Sequence, residues 1–549
     1  MVSVRTVQTA PFDGQKPGTS GLRKRVKVFQ TPHYTENFIQ SIFAAVPKPR
    51  TLVVGGDGRY LMTDVIQKII RIGAANGVTH FIVGRNGILS TPAASCVIRK
   101  RAADGGIILT ASHNPGGPQN DFGIKYNMSN GGPAPESVTD GIYKASLELK
   151  EYKEAEVSPV DLAALGIQKF DGFAVEIIDS VTDYVELTKE IFDFELIRKF
   201  RQQTPEFTLL FDGLNGVTGP YARRILVDEL GFPESSLEQC TPLEDFGGGH
   251  PDPNLTYAHK LVERVAGEKI SFGAASDGDG DRNMVLSHDW FVTPSDSVAL
   301  IAHHAECIPY FKNKGVHGLA RSMPTSCAID RVAAAKGLQC YEVPTGWKFF
   351  GNLMDANKLS ICGEESFGTG SDHIREKDGI WAIVAWLNII AHQSQQKAKL
   401  VDVKHLMLDF FKTYGRNYFT RYDYEDVDSA GASKMMEQLR ALKKQALESS
   451  DFGGFKVSHV DDFEYTDPID ASVTSKQGVR VIFADSSRII FRLSGTGSQG
   501  ATVRIYIERY DDKDVELDAQ VALRPLVLAA LEISKLEQFT GRKVPTVIT

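Results

Sequence analysis

A serine and a histidine stand side by side in a loop that follows an apolar, strand-like run. They are Ser112 and His113, in the segment Thr110-Ala-Ser-His-Asn-Pro-Gly-Gly, which comes after Gly106-Ile-Ile-Leu. A loop in this position can present a serine hydroxyl to a ligand. Serine is a weak nucleophile unless a base or a metal ion activates it, and Ser and Asn are also common in plain turns. The segment alone therefore leaves a nucleophile and a capped turn as alternatives.

A second loop carries three carboxylates that alternate with glycine. Asp277, Asp279 and Asp281 belong to the run Asp-Gly-Asp-Gly-Asp-Arg, in which a tight turn can bring all three toward one point. Mg²⁺ prefers such hard oxygen ligands, and acids this close would repel one another without a cation. A calcium EF-hand loop requires Gly and Glu at its sixth and twelfth positions, where this chain has Arg282 and His288. The EF-hand is excluded, and a solvated acidic turn remains the alternative to a magnesium site.

A third, glycine-rich loop lies between two strand-like segments near the C-terminus. It runs from Arg492 to Arg504. Its backbone amides, the hydroxyls of Ser494, Thr496 and Ser498, and the guanidinium of Arg504 could together hold a phosphate dianion. The loop lacks Gly-Lys-Ser/Thr and does not open a helix, so it is neither a Walker A loop nor a dinucleotide fingerprint. Taken alone, it could also be a simple hairpin.

The composition excludes a general attraction to nucleic acids or anionic membranes. The chain has 549 residues, with 61 Lys and Arg against 69 Asp and Glu and a formal net charge of −8. Without a basic field, an anionic ligand has to be held by local sites. The cysteines show no CxxC spacing that would indicate zinc or a redox pair, so we expect reduced thiols. They are Cys96, Cys240, Cys307, Cys327, Cys340 and Cys362.

Neither a targeting segment nor a membrane span is evident in the sequence. The N-terminal residues Met-Val-Ser-Val-Arg-Thr lack the apolar stretch of a signal peptide, and no peroxisomal or retention tripeptide ends the chain. The most apolar stretch, residues 380–391, is interrupted by Asn388 and is shorter than the roughly 20 residues that span a bilayer. We therefore expect a cytoplasmic protein.

The elements that must position these loops form a repeated pattern over the first two-thirds of the chain. A short apolar strand is followed by a Gly- and Asp-rich loop and then by an amphipathic helix, as at residues 62–75. This alternation predicts α/β domains, whose ligands usually lie beyond the carboxyl ends of the strands. The strands of the pattern begin at Thr51, Gly106, Phe207, Ile270 and Leu359.

The C-terminal quarter of the sequence has a different pattern. Closely spaced alternating strands are predicted at residues 478–483, 488–493 and 501–507, followed by a helix at 516–536. Residues 430–450 are predicted to begin as a helix. Because a single hydrophobic core rarely grows beyond roughly 250 to 300 residues, the chain must divide into several domains, of which this α+β segment would be the last.

Six motifs follow one another along nearly the whole chain. They are Pro17-Gly-Thr-Ser-Gly-Leu-Arg, Thr110-Ala-Ser-His-Asn-Pro-Gly-Gly, Asp277-Gly-Asp-Gly-Asp-Arg, Thr345-Gly-Trp-Lys, Gly363-Glu-Glu-Ser-Phe-Gly and the loop from Arg492 to Arg504. Together they resemble the motifs of the α-D-phosphohexomutase superfamily, and within it those of the eukaryotic-type phosphoglucomutases. Their joint occurrence is very specific, and none of them departs from the family pattern.

The resemblance implies an α/β protein of four domains around one central cleft. Three would be similar α/β domains with mixed sheets, and the fourth an α+β domain. The expected domains are residues 1–185 with the catalytic serine loop, 186–297 with the metal-binding loop, 298–408 with the sugar-recognition loop and 409–549 with the phosphate-binding loop.

The resemblance also assigns roles to individual residues. Ser112 would carry a phosphoryl group, and together with Asp277, Asp279 and Asp281 it would hold one Mg²⁺ per chain. The residues expected to bind the substrate are Thr19, Ser20, Arg23, Arg282, Thr345, Gly346, Glu364, Ser366, Lys377, Arg492, Ser494, Gly495, Thr496 and Arg504.

The reaction also needs a base that takes the proton of the attacking hydroxyl. His113 and Lys125 are the candidates, and the resemblance favours Lys125 as the base with His113 assisting. The residues by themselves also allow a structural role for both, Lys125 as a surface charge and His113 as a hydrogen-bonded loop residue.

The function implied by the resemblance is the reversible interconversion of α-D-glucose 1-phosphate and glucose 6-phosphate. It would proceed through a phosphoserine enzyme, with glucose 1,6-bisphosphate as intermediate and activator, and we expect a monomer that binds sugar phosphates. The alternatives are a phosphomannomutase, an N-acetylhexosamine phosphate mutase or a non-catalytic sugar-phosphate-binding homologue. The segment Gly363-Glu-Glu-Ser-Phe-Gly resembles the glucose-type sugar loop, and Ser112 and the three aspartates are all present. These features favour the glucose enzyme.

Overall fold

The computed structural model describes residues 2–18, 20–442, 450–494 and 500–549. Four large sheets and two two-stranded sheets organise these residues. The elements of the first part of the chain are β1 Val4–Gln8, β2 Leu22–Arg25, α1 Val26–Phe29, α2 Tyr34–Ala45, β3 Thr51–Gly56, α3 Met62–Ala75, β4 His80–Ile88, α4 Thr91–Lys100, β5 Gly105–Leu109, β6 Asp121–Met128, α5 Glu136–Glu148, β7 Glu151–Ala155, β8 Gly166–Phe170, β9 Phe173–Ile178 and α6 Thr182–Ile191.

The middle of the chain forms two smaller sheets with their helices. The elements of the first are α7 Phe194–Gln203, β10 Leu209–Asp212, α8 Gly219–Ala222, β11 Leu237–Glu238, α9 His259–Gly267, β12 Phe272–Ser276, β13 Asn283–Ser287 and β14 Trp290–Val292. Those of the second are α10 Pro294–His303, α11 Pro309–Lys314, β15 Leu319–Ser322, α12 Ala328–Lys336, β16 Cys340–Val343, α13 Trp347–Asp355, β17 Ile361–Gly363, β18 Thr369–Ser371, α14 Gly379–Lys397 and α15 Val403–Tyr414.

The C-terminal part forms an antiparallel seven-stranded sheet, covered by helices. Its elements are β19 Arg416–Val427, α16 Ser429–Leu442, β20 Asp451–Phe452, β21 Phe455–Asp462, β22 Tyr465–Thr466, β23 Val473–Thr474, β24 Val479–Phe483, β25 Arg488–Ser494, β26 Ala501–Asp511, α17 Ala519–Ser534, α18 Leu536–Thr540 and β27 Val547–Ile548.

The first three large sheets share one strand order. Their central strands lie in the orders β4-β3-β5-β6, β11-β10-β12-β13 and β16-β15-β17-β18. In each set the first three strands are parallel and the fourth is antiparallel to the third. The loop between the third and fourth strands, residues 110–120, 277–282 and 364–368, therefore lies at the same carboxyl edge of each sheet. The prediction of three similar α/β domains and a C-terminal α+β domain is confirmed.

Several predicted elements coincide with observed ones. The helix expected at residues 62–75 is α3, and the helix expected at 516–536 is α17. The apolar stretch at residues 380–391 lies in the buried helix α14, where the side-chain amide of Asn388 donates to the carbonyl of Cys307 at 2.9 Å. None of the helices in the described ranges is long and apolar enough to cross a membrane.

The expected domain boundaries remain a prediction. The boundaries after residues 185, 297 and 408 fall within the helices α6, α10 and α15, respectively. A continuous apolar core joins the first three sheets, with Leu89, Phe211 and Trp381 among its members. The C-terminal sheet has its own core and packs against the third domain through residues that include Ile490 and Phe350. The loops at the sheet edges therefore begin and end on strands that are packed against shared hydrophobic cores.

Candidate active site

Ser112 occupies a strained position in the loop between β5 and β6. Its φ is +53°, in the left-handed region that non-glycine residues rarely adopt, and the residue is buried. The backbone amide of Ser112 donates to Thr110 Oγ1 at 2.7 Å, and its carbonyl accepts from Arg59 Nη2 at 2.9 Å. Such strain persists where the surroundings fix the backbone, and it is frequent at functional sites.

The buried ion pair of Asp57 and Arg59 holds this loop in place through hydrogen bonds. Arg59 Nε lies 2.8 Å from Asp57 Oδ2, and both side chains are fully buried. Asp57 Oδ2 also accepts from Thr110 Oγ1 at 2.6 Å, and Arg59 Nη1 donates to the carbonyl of Asp121 at 2.8 Å. The loop is thus held at its first residue, Thr110, and at Asp121, the residue that directly follows it. Sequence reasoning missed this pair, although it lies in the Gly-Gly-Asp-Gly loop after β3.

The three aspartates of the loop after β12 converge as predicted. Carboxylate oxygens of Asp277, Asp279 and Asp281 lie within 4.8 Å of one another, and all three residues are buried. Ser112 Oγ donates to Asp277 Oδ2 at 3.2 Å, so the serine loop of the first domain meets the metal loop of the second. Burial, together with the charges of Asp279 and Asp281, raises the pKa of Asp277 well above its ordinary value.

This donor set fits Mg²⁺. Among the described residues, Asp279 Oδ1 and Asp281 Oδ1 are buried and have no hydrogen-bond partner, so hard oxygen atoms remain available beside the other carboxylates. A buried cluster of like charges with orphaned oxygens is costly unless a cation compensates it. The solvated acidic turn, the alternative left open by the sequence, does not describe this loop.

Cations surround the carboxylates. Lys377 Nζ lies 3.0 Å from Asp281 Oδ2, and the backbone amide of Arg282 donates to Asp277 Oδ1 at 3.0 Å. Although burial opposes the charged form, the carboxylate of Asp281 raises the pKa of Lys377 above its ordinary value. Burial lowers the pKa of Arg23, on the edge strand β2, although the nearby charges of Asp279 and Asp281 act in the opposite direction. This concentration of positive charge suits a phosphate dianion.

Lys125 has a buried partner from the third domain. Its ammonium forms an ion pair with Glu376, whose Oε1 also accepts from Asn127 Nδ2 at 2.8 Å. Lys125 and Glu376 are 7% and 1% exposed, so Lys125 is not a surface charge. Sequence reasoning missed Glu376, although it stands directly before Lys377.

His113 lies beside the serine and is held in its neutral form. Its Nδ1 is 3.5 Å from Ser112 Oγ, and its ring stacks in parallel on that of His250, with centroids 6.1 Å apart. Burial, helped by the nearby Arg282 and Arg23, lowers the pKa of His113 well below its ordinary value. A neutral imidazole at this distance is able to accept a proton.

Residues 244–257, which we call the strap, cross both loops. The carbonyl of Glu244 accepts from the amide of Tyr60 at 2.9 Å, and that of Pro251 accepts from the amide of Gly278 at 3.1 Å. Asp252 Oδ1 lies 3.2 Å from Arg282 Nη1. The strap therefore ties the first domain to the metal loop, a role that nothing in its turn-rich sequence indicated.

A cavity of about 260 Å³ lies against the strap, and a carboxyl group that is almost completely buried forms part of its wall. His250 and Tyr257 line it from the strap, and Asp212 lines it from the end of β10. Burial raises the pKa of Asp212 to about 7, while its Oδ1 accepts from the amide of Leu214 at 2.8 Å.

We expect Asp212→Asn to be more stable than the parent protein at neutral and alkaline pH. The folded protein binds the Asp212 proton more tightly than the unfolded chain, so the stabilising contribution of this group is complete below the unfolded pKa of about 3.9 and is lost as the pH rises through about 7. The difference in unfolding free energy should approach about 4 kcal/mol, because the asparagine oxygen can keep the bond to Leu214. Thermal unfolding at about pH 5 and about pH 8 measures it, and a difference independent of pH contradicts the assignment.

The residues that the sequence predicts to recognise the sugar lie next to the metal loop, since Gly368 forms a backbone bridge with Arg282. Glu364 Oε1 accepts from the backbone amide of Gly346 at 3.1 Å, and burial raises the pKa of Glu364. Thr345 Oγ1 is buried and has no hydrogen-bond partner within the ranges that the structure describes. The stem of Lys377 passes so close to Gly368 that a Cβ there would lie 2.4 Å from Lys377 Cδ. Lys377 thus lies between the metal loop and the sugar loop.

The arginines of the fourth domain lie on neighbouring strands. Arg492 on β25 pairs in register with Arg504 on β26, whose Nε lies 3.6 Å from Asp423 Oδ2. Arg492 Nη1 donates to the hydroxyl of Tyr506 at 3.3 Å. Arg504 contributes to the low pKa of His113, which places this strand pair on the side of the serine.

The remaining predicted substrate residues are placed as follows. Ser20 is exposed two residues before β2, Ser366 lies in the sugar loop beside Glu364, and Ser494 ends β25. Thr19, Gly495 and Thr496 lie outside the described residues.

Comparison with protein families gives four matches in order along the chain. Three are to phosphoglucomutase/phosphomannomutase alpha/beta/alpha domains: domain I at residues 14–153, domain II at 182–290 and domain III at 294–406. The fourth is to the C-terminal domain of phosphoglucomutase-1 at residues 416–546.

Whole proteins match as well. The chain is 58% identical to a phosphoglucomutase of Schizosaccharomyces pombe, with all of both chains covered. It is 57% identical to the chloroplastic phosphoglucomutase 1 of Marchantia polymorpha, covering all of this chain and 85% of that one. The crystal structure of the exocytosis-sensitive phosphoprotein pp63/parafusin, a phosphoglucomutase of Paramecium, in its open form, superposes with a TM-score of 0.92 at 51% identity, covering 100% of this chain and 99% of that one.

Proposed function

The chain belongs to the phosphoglucomutase/phosphomannomutase family of intramolecular phosphotransferases, and we propose that it interconverts α-D-glucose 1-phosphate and glucose 6-phosphate. The observation that carries the proposal is the 3.2 Å contact between Ser112 Oγ and Asp277 Oδ2, across the junction of two domains. A hydroxyl held at a buried carboxylate triad and ringed by cations suits the reversible transfer of a phosphoryl group.

In the proposed reaction, Ser112 enters the cycle as a phosphoserine. Its phosphate carries about −1.5 to −2 charges, which Arg282 and Lys377 are placed to balance. Asp277, Asp279 and Asp281 would hold Mg²⁺. When bound, the ion would neutralise negative charge on the transferred phosphoryl group. The strained backbone at Ser112, fixed by Asp57 and Arg59, keeps the oxygen in place throughout.

The proposed transfer needs two phosphate sites and one nucleophile. The O6 hydroxyl of glucose 1-phosphate attacks phosphorus, the bond from phosphorus to Ser112 Oγ breaks, and the hydroxyl proton passes to the base while Ser112 regains one. The resulting glucose 1,6-bisphosphate turns end for end, and its 1-phosphate returns to Ser112. Arg492 and Arg504 on adjacent strands would hold the phosphate that is not reacting.

Glucose is proposed as the sugar because of the loop that contains Glu364 and Ser366. The buried Glu364 carboxyl and the Ser366 hydroxyl supply an acceptor and a donor for two adjacent hydroxyls. A coupled assay for glucose 6-phosphate from glucose 1-phosphate, with Mg²⁺ and trace glucose 1,6-bisphosphate, tests the proposal beside mannose 1-phosphate. Equal turnover of mannose 1-phosphate would mean that Glu364 does not select glucose. No turnover of either sugar would favour the non-catalytic homologue.

We expect Lys125→Met to lower kcat by about 10²-fold or more with little change in KM, as the loss of a general base does. The preference for Lys125 comes from the family resemblance. To act as a base, Lys125 must first give up its ammonium proton, and the carboxylate of Glu376 is placed to accept that proton. The neutral His113 is the second candidate acceptor. His113→Gln should cost about tenfold. Steady-state kinetics of both variants measures this.

Lys189→Met is the matched control for the base, because it removes a lysine whose partner, Glu229, lies 2.9 Å away on the surface. Its kcat should equal that of the parent. A larger loss in His113→Gln than in Lys125→Met would reverse the two roles.

We further propose a cytoplasmic, monomeric enzyme. One chain brings together loops from three sheets, with Arg504 of the fourth close enough to affect Arg282, so the site needs no second copy. Relatives are named for both compartments, as the cytoplasmic phosphoglucomutase of pea and the chloroplastic one of Marchantia illustrate. Light scattering of the purified chain tests the monomer.

A further inference from the structure

A buried chain of hydrogen bonds, which we call the relay, runs through Ser371, His373, Asp378 and Tyr184. Ser371 Oγ lies 2.6 Å from His373 Nδ1, and His373 Nε2 lies 2.9 Å from Asp378 Oδ2. Tyr184 donates its hydroxyl to Asp378 Oδ1 at 2.6 Å. All four side chains are buried, and Tyr184 comes from the helix α6 whereas the other three lie at or after the end of β18.

The relay has the composition of a hydrolytic triad but not its exposure. Ser371 is 0% exposed and ends the strand β18, so its hydroxyl cannot reach a substrate. Burial and the neighbouring Asp378 raise the pKa of Tyr184 well above its ordinary value, so it stays a donor. The amide of Trp381 also donates to Asp378 Oδ1, at 3.0 Å. With Asp378 as the acceptor, His373 donates through Nε2 and accepts from Ser371 through Nδ1.

The relay spans the loop that carries two cleft residues. Residues 371–378 connect β18 to α14, and Ser371 and Asp378 are the first and last of them. Between them, Glu376 pairs with Lys125 of the first domain, and Lys377 Nζ lies 3.0 Å from Asp281 Oδ2 of the second. The loop therefore contacts the candidate base and a metal carboxylate at once.

The backbone around this loop is also tied at its end. The amide of Asp378 donates to the carbonyl of Thr369 at 2.9 Å, and the amide of Gly379 donates to that of Gly280, in the metal loop, at 3.1 Å. These bonds fix the backbone beside α14. In the middle of the loop, the amide of Arg375 donates to Ser95 Oγ at 3.1 Å and Arg375 Nε lies 2.7 Å from Asp355 Oδ1. The side chain of His373 adds the contact that joins both ends of the loop.

We propose that His373 is a positioning residue that joins the ends of the loop 371–378 and so holds Lys377 against Asp281 and Glu376 against Lys125. The inference rests on the proposed function, because it assigns a role within that reaction. His373 does not touch the carboxylate triad itself, and its effect passes through Lys377 and Glu376. Partners that orient a metal ligand from outside typically change metal affinity or activity by about 10–100-fold.

The test compares His373→Ala and Tyr184→Phe with the parent protein. The measurements are kcat and KM for glucose 1-phosphate and, separately, Mg²⁺ binding by titration calorimetry. His373→Ala should lower kcat by about 10–100-fold and weaken Mg²⁺ binding by about tenfold, with KM changed by less than about twofold. Tyr184→Phe removes one hydroxyl from the far end of the relay and should act in the same direction by about threefold.

His303→Ala is the matched control, since it removes a half-buried histidine whose Nδ1 lies 2.9 Å from the hydroxyl of Tyr414, outside the cleft. It should leave kcat and Mg²⁺ binding unchanged. Parental kcat and Mg²⁺ affinity in folded His373→Ala, or an equal loss in His303→Ala, would overturn the proposal. Should His373→Ala not fold, unchanged Mg²⁺ binding in Tyr184→Phe overturns it. Lack of turnover by the parent refutes the proposed function instead, while the Mg²⁺ titrations still test the relay.

Discussion

Ser112→Ala is expected to lower kcat for glucose 1-phosphate conversion by roughly 10⁴-fold or more, as the loss of a covalent nucleophile does in other enzymes. The oxygen that forms and breaks the bond to phosphorus disappears, whereas Asp277, Arg282 and Lys377 keep their places. The substrate should therefore still bind, and the loss should fall on kcat. The coupled assay measures it, together with mass spectrometry of the chain after incubation with glucose 1,6-bisphosphate.

The parent should gain one phosphoryl group on the peptide that contains Ser112, and Ser112→Ala should gain none. Ser41→Ala serves as the control, because Ser41 is also a buried serine, but its hydroxyl donates to the carbonyl of Asn37 within α2 at 2.7 Å. Its activity and phosphorylation should match those of the parent. Phosphorylation of Ser112→Ala at another residue, with activity retained, would show that Ser112 is not the nucleophile.

The short-range parts of the site could be predicted from the sequence. Ser112 and the aspartates of residues 277–281 each lie in a loop that directly follows an apolar strand, so residue type and position were both visible locally. The antiparallel fourth strand of each α/β sheet was not visible, because strand pairing depends on partners elsewhere in the chain. That pairing is what places residues 110–120, 277–282 and 364–368 at equivalent edges.

Contacts between distant segments account for most of what the sequence did not show. Glu376 lies 251 residues from its partner Lys125, and Asp57 lies 53 residues from Thr110. A buried ion pair leaves no periodic pattern in the sequence, since each member looks like an ordinary loop residue until the fold removes it from water. The signal that was available was position: Asp57 follows a strand, as Ser112 does, and could have been considered for the same reason.

Asp279→Asn is expected to remove Mg²⁺ binding and to lower kcat by about 10²-fold or more at limiting Mg²⁺. Asp279 Oδ2 accepts from Thr91 Oγ1 at 2.7 Å, a bond that asparagine can keep, while Asp279 Oδ1 is buried and has no hydrogen-bond partner in the described part of the chain. The substitution therefore removes a charge and little else. Titration calorimetry with Mg²⁺ and kinetics over a range of Mg²⁺ concentrations measure both effects, and Asp289→Asn, on the turn before β14, should behave like the parent.

Thermal stability separates the loss of a metal ligand from damage to the fold. In the metal-free parent, burial and the neighbouring carboxylates raise the pKa of Asp277, whereas burial of Asp279 is outweighed by the hydrogen bond from Thr91 and the charge of Lys377, which lower the pKa of Asp279. Because the repulsion and these favourable contacts of Asp279 oppose each other, metal-free Asp279→Asn should differ little in stability from the metal-free parent. Mg²⁺ should stabilise the parent by about 2.7 kcal/mol at 100 times its Kd, and should leave the variant unchanged. A variant that is less stable than the parent in chelator would mean that Asp279 holds the fold directly. Equal stabilisation of both proteins by Mg²⁺ would mean that the ion binds elsewhere.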